Sequence, residues 1–125
     1  MKISFLQGVT MAHPEDSILL ISHFDSDGAM LLHQTIECLF VEREIVVTGK
    51  ILVENGDGLI LTFALSDLDQ GCIKRDNHFL CSLRAESWKK AQEGIRALDF
   101  QSRGFQYLYD VNCPIDIVIS PSGAF

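Results

Sequence analysis

The sequence predicts an α+β domain: a mostly antiparallel β-sheet with two helices, at about 28–40 and 84–98, packed on it. Three observations lead there. Two β-branched, apolar runs flank Asn55-Gly56-Asp57-Gly58, the composition of a hairpin turn. Residues 84–98 carry apolar side chains at helical spacing. Strands and helices alternate through hairpins, without regular strand–helix–strand units. At 125 residues the chain is one domain, 1–125, able to bury a core without staples.

In chain order, Lys2 to Leu6 reads as a short strand. Gln7 to Asp16, with Gly8, Pro14 and paired acids, reads as a loop. Ser17 to Phe24 is apolar on both sides of its alternation, as a central strand covered on both faces is. Asp25-Ser26-Asp27-Gly28 breaks it and supplies capping groups for a helix over Ala29 to Phe40. Leu32, Ile36, Leu39 and Phe40 share one helical face, with His33, Gln34 and Glu37 on the other; the same residues also suit a strand.

The hairpin spans Glu44 to Ser66. Ile45, Val47, Ile51 and Val53 share a face of its first strand, and Leu59, Leu61, Phe63 and Leu65 a face of its second. Both sets reach the same side only if Val53 opposes Leu59. This predicts a three- or five-residue loop centred on Gly56, because a one-residue slip would turn one set outward.

Leu68 to His78 is polar and reads as a loop, and Phe79 to Leu83 as a short strand. In the second helix Trp88, Ala91, Ile95 and Leu98 form the buried stripe, while Lys89, Lys90, Glu93 and Arg96 face water. Gly94 either allows close packing or weakens the helix. Phe105 to Val111 alternates, with Phe105, Tyr107, Tyr109 and Val111 on the apolar side. Ile115 to Ser120 alternates again through Ile115, Ile117 and Ile119. A three-residue loop at Asn112-Cys113-Pro114 would oppose Val111 to Ile115 and Asp110 to Asp116. Like charges so placed destabilise a sheet unless a cation, an arginine (Arg84, Arg96 or Arg103) or a basic partner offsets them.

The formal net charge is −7 and uneven. Residues 1–70 hold eleven acids against three bases, and residues 71–125 six acids against seven bases. That balance argues against a nucleic-acid binder, which presents a basic face, and suits either solubility or a basic protein partner. No apolar run is long enough to span a bilayer. The first residues lack the features of a signal peptide, so the expected compartment is the cytoplasm. Cys38, Cys72, Cys81 and Cys113 lack Cys-x-x-Cys spacing and read as reduced, mostly buried thiols.

No catalytic fingerprint is present, and no cofactor is expected. His23, Asp25 and Asp27 form the one metal-like spacing. They leave open a small metal-dependent hydrolase, against the simpler reading of a capping Asp beside a strand histidine. A homo-oligomeric subunit or scaffold is a further alternative.

The segment Gly104-Phe105-Gln106-Tyr107-Leu108-Tyr109-Asp110, then Ile115-Asp116-Ile117-Val118-Ile119-Ser120, then Pro121, Gly123 and a terminal aromatic, resembles the tails of bacterial immunity proteins. These serve contact-dependent growth inhibition and related polymorphic toxin systems. The resemblance covers the last fifth of the chain. It implies a non-catalytic inhibitor that binds a cognate toxin domain, such as a nuclease with a basic cleft. Asp110, Asp116, Asp25, Asp27 and Glu37 are then the expected partner-binding residues.

Overall fold

The structure, a computed structural model, describes residues 1–7, 17–49, 58–98, 100, 106–109 and 115–123. Over these residues the chain forms β1 (Lys2–Gln7), β2 (Ser17–Ser22), α1 (Ser26–Glu42), β3 (Glu44–Val46), a 3-10 turn (Val47–Gly49), β4 (Ile60–Leu65), β5 (Gly71–Arg75), β6 (His78–Leu83), α2 (Ala85–Arg96), β7 (Gln106–Tyr109) and β8 (Ile115–Ser120). The class is α+β, but the strands form two four-stranded mixed sheets, not one mostly antiparallel sheet.

The sheets share one plan. In the order β1-β2-β8-β7, two antiparallel pairs join through their second strands, β2 and β8, which run parallel. In the order β3-β4-β6-β5, the parallel join is β4 with β6. The antiparallel pairs link consecutive strands. The parallel joins link strands that local patterning does not connect.

One core lies between these layers. Leu19, Ile21, Ile117 and Ile119 of the first sheet, Leu61, Phe63, Phe79, Cys81 and Leu83 of the second, and Leu32, Ile36, Leu39, Trp88, Ala91 and Ile95 of the helices pack into a single cluster. A smaller cluster of Ile18, Leu20 and Val118 lies on the opposite face of the first sheet. β2 is thus central and apolar on both faces, as its sequence predicts. Trp88 is fully buried. It packs against Phe63 in a tilted arrangement with centroids 4.8 Å apart and donates its indole N–H to the Ala64 carbonyl at 2.9 Å. An indole in a core needs such a partner.

Both helices bury most of their predicted stripes, but Phe40 and Leu98 are only half-buried, and Leu98 lies beyond the end of α2. α1 starts at Ser26 because Asp25 is its N-cap, accepting from the Gly28 N–H at 2.9 Å. Gly28 sits inside the first turn; a Cβ there would stand 2.8 Å from the Phe24 Cβ. α1 ends where Arg43 takes φ 67° and returns its N–H to Leu39 O, the left-handed cap usually given to glycine. In α2, a Cβ on Gly94 would meet nothing nearer than Gln106 Oε1 at 3.9 Å, so close packing does not require that glycine.

Among the described residues the central hairpin keeps its predicted inward face and changes its register. Val53 opposite Leu59 would set Ile45 against Asp67; instead Ile45 opposes Phe63. The displacement is even, so Ile45, Val47, Leu59, Leu61 and Phe63 are all buried together. The first strand stops at Val46, where the 3-10 turn begins. The predicted loop around Gly56, with Ile51 and Val53, lies outside the described residues.

The predicted loop over Leu68 to His78 holds β5. Arg75 opposes His78 across a two-residue turn, Asp76-Asn77, in which Asp76 carries φ 56°. Aspartate tolerates that left-handed conformation better than most residues, so the Lys74-Arg75-Asp76-Asn77 polarity marks a turn between strands.

Candidate functional site

The expected partner-binding residues fall in different places. Asp25 and Asp27 stand at the start of α1, and Glu37 stands further along that helix. Asp116 lies on β8 opposite Ile18, near the beginning of β2, whereas Asp25 follows the end of β2. Asp116 is also on the sheet face turned away from the core that α1 covers. Asp110 lies outside the described residues. Tyr109, the last residue of β7, opposes Ile117.

β7 departs from its predicted alternation. A register shift between Tyr107 and Tyr109 places Tyr107 opposite Val118, and Tyr107 is 46% exposed while Leu108 is buried. A bulge adds one residue to a strand and turns what precedes it to the other face. Tyr107 therefore belongs to the surface, not to the core in which its spacing places it.

His23, Asp25 and Asp27 are not drawn into a cluster. Among the described residues no group of three His, Cys, Asp or Glu side chains is placed to hold a metal ion. Asp25 is committed to the α1 N-terminus. His23 adopts φ 58°, shares a 2.8 Å hydrogen bond between its Nδ1 and Ser22 Oγ, and packs towards Gly123. The capping carboxylate already occupies the position at the helix start where an anion would bind.

Two acids that composition leaves as surface charge have structural partners. Asp69, between β4 and β5, accepts the Arg84 backbone N–H at 2.8 Å and the Ser87 hydroxyl at 2.7 Å. It also lies 3.5 Å from the Arg84 guanidinium. It thereby caps α2, whose own N-cap residue, Arg84, makes no side-chain cap. Glu37 accepts from Gln92 Nε2 at 2.8 Å, and the same amide reaches the His33 carbonyl at 3.3 Å, tying α1 to α2. Sequence offers no local sign of either link, because each joins residues far apart in the chain.

The outer side of α1 offers one exposed surface. Its 17 residues contain Asp27, Glu37 and Glu42 and no Lys or Arg. The same helix exposes Met30 (61%), Leu31 (49%) and Val41 (84%). Gln34, Glu37, Cys38, Phe40, Val41 and Glu42 line an open depression of about 720 Å³ there. Cys38 is exposed on this surface, contrary to the buried thiol expected, whereas Cys72 and Cys81 are buried opposite each other on β5 and β6.

A second concavity, about 480 Å³, lies on the outer face of the second sheet. It is lined by Glu44, Val46, Thr62, Gln70, Ile73, Arg75, His78 and Leu80. His78 Nε2 is hydrogen-bonded to Thr62 Oγ1 at 3.2 Å.

Compared with known proteins, the chain matches no protein-family model and no curated sequence. No helix among the described residues is long and apolar enough to cross a membrane.

Proposed function

We propose that this protein is a non-catalytic inhibitor of the immunity type, which binds a basic toxin domain through the outer side of α1. The observation that carries the reading is the meeting, on one helix with acids but no Lys or Arg, of negative charge and large exposed apolar side chains. Apolar groups such as Met30, Leu31 and Val41 supply contact area. Interfaces favour methionine, and exposed apolar surface of this kind marks docking sites. Asp27, Glu37 and Glu42 supply attraction to a basic cleft and speed encounter with it. Asp25 contributes field from the helix start while it caps the helix. Asp116 lies on a different side of the molecule and falls outside this surface.

The test is calorimetric titration with the toxin domain encoded by the neighbouring gene. A complex is expected at micromolar concentration or below, with an association rate that falls as salt rises. Asp27→Lys should weaken it by about tenfold or more and lower the association rate, since like charges would then face each other. Val41→Ala should act on the dissociation rate, and circular dichroism should show α1 intact in both variants. Absence of any complex at micromolar concentration would end the proposal.

A further inference from the structure

The two-residue turn Asp76-Asn77 fixes the pairing of everything behind it on β5 and β6. Such a turn is closed by a hydrogen-bonded pair, here Arg75 and His78. Hydrogen-bonded and non-hydrogen-bonded pairs then alternate along the ladder. Lys74 and Phe79 are therefore non-hydrogen-bonded, Ile73 and Leu80 hydrogen-bonded, and Cys72 and Cys81 non-hydrogen-bonded. A non-hydrogen-bonded rung is the narrower kind. It brings opposed Cα atoms to about 4.5 Å, against about 5.5 Å on the other kind, and sets their side chains closer together. A disulfide spans Cα atoms about 4.4–6.8 Å apart. The register thus holds two sulfurs side by side on a rung that a bond between them fits with little movement of either strand.

Both side chains point inward. Cys72 and Cys81 are fully buried, pack in the main core and carry thiols in this structure. Either one alone would be an ordinary small core residue. The pairing is what sets them apart: among the described cysteines, these two face each other across a ladder. A route to them exists at the margin of the sheet. β5 is an edge strand that neighbours β6 alone, and Ile73, Lys74 and Arg75 at its turn end are exposed. Short strands at an edge open locally at lower free energy than central ones, and opening β5 uncovers both sulfurs together.

We propose that Cys72 and Cys81 are a redox site, a dithiol that small disulfides such as glutathione disulfide convert to a cross-strand bond. The thiolate of one cysteine attacks the small disulfide, forming a mixed disulfide and expelling one small thiolate, which takes up the proton. The thiolate of the second cysteine then attacks the protein sulfur of that mixed disulfide and expels the other small thiolate. Two protein thiols and one small disulfide become one protein disulfide and two small thiols. The bond clasps β5 to β6 and closes a short ring around Asp76-Asn77, so it stabilises the fold modestly. Ile73 and Arg75 of β5 line the concavity on the outer face, and the clasp stiffens that wall. In a reducing environment the bond lasts only while small disulfides are in excess, which is the behaviour of a sensor and not of a permanent staple. No residue of α1 takes part, so this site and the toxin complex stand or fall separately.

The test uses the whole wild-type chain, incubated with glutathione disulfide and glutathione at a series of ratios. Samples are quenched in acid, alkylated under denaturing conditions and digested with trypsin without reduction. Lys74 and Arg75 lie between the two cysteines, so trypsin separates them and the bond shows as a joined pair of peptides. That pair should grow as the share of glutathione disulfide rises and vanish on adding dithiothreitol. The oxidised protein should have a higher urea midpoint that falls back on reduction. Its β5 amides should exchange with solvent about tenfold or more slowly. Cys72 and Cys81 that are still fully alkylated after overnight incubation overturn the proposal. So does a bond from either one to Cys38 or Cys113 instead. An oxidised form with a lower urea midpoint also overturns it, since the native register would then not accommodate the bond.

Discussion

Asp69 shows how little a residue's charge says about its task. It lies in the more acidic part of the chain, amid residues that composition would assign to solvation, yet it closes the start of a helix 15 residues further along. The Arg84 N–H, the Ser87 hydroxyl and the Arg84 guanidinium all converge on its two oxygens. Asp69→Ala should cost about 0.5–2 kcal/mol, the range for losing a helix cap, read as a lower urea midpoint with an unchanged slope. Asp69→Asn keeps an acceptor and should cost less. In both variants the first amides of α2 should exchange with solvent faster, while those of α1 do not. Asp25, by contrast, caps its helix from three residues away, and that role is legible because Asp followed by Ser, Asp and Gly before an apolar stripe is a local pattern. The difference between the two acids is sequence distance alone. The same holds for Glu37, whose link to Gln92 no pattern in either helix announces.

At the scale of elements, periodicity marks the faces of the chain more reliably than its boundaries or pairings. The α1 and α2 stripes, the two-sided burial of β2 and the inward face of the central hairpin all follow from apolar spacing. β5 is hidden because its one large apolar residue, Ile73, faces outward and its turn uses Asp76-Asn77 without glycine. The exposure of Tyr107 is hidden because a bulge leaves no mark in the alternation around it. Of the candidate site, the acids at the α1 start can be named from sequence. The exposed Met30, Leu31 and Val41 cannot, because spacing puts them off the stripe without marking them as a contact surface. The space beside Gly94 has a consequence for stability. Since an added methyl group would meet only ordinary contact distance, Gly94→Ala should stabilise the protein by up to about 1 kcal/mol, with a raised urea midpoint. A loss of stability would mean that α2 and the Gln106 region pack more closely than their separation indicates.

For the molecule as a whole, the two sheets are alike in plan and unlike in the sequence distance they close. β4 and β6 pair with Ile60 beside His78, near neighbours in the chain, whereas β2 and β8 pair with Ser17 beside Ile115. Closing the longer separation costs more chain entropy before any contact rewards it, so the second sheet should form first. Leu83→Ala and Ile117→Ala, each removing a fully buried side chain, should both cost about 2–5 kcal/mol. In stopped-flow denaturant experiments the first should appear largely as slower folding and the second largely as faster unfolding. The reverse assignment would place the β2–β8 pairing in the folding nucleus.

The parallel seam between β2 and β8 also bears on the protein's birth. As the chain leaves the ribosome, β1 and β2 emerge early and must wait for about a hundred further residues before the strand that completes their sheet is made. Throughout that interval Leu19 and Ile21 lack Ile117 and Ile119, and the flank of β2 offers unpaired backbone groups to any neighbouring nascent strand. Rapid synthesis shortens that vulnerable period, and a pause late in translation lengthens it.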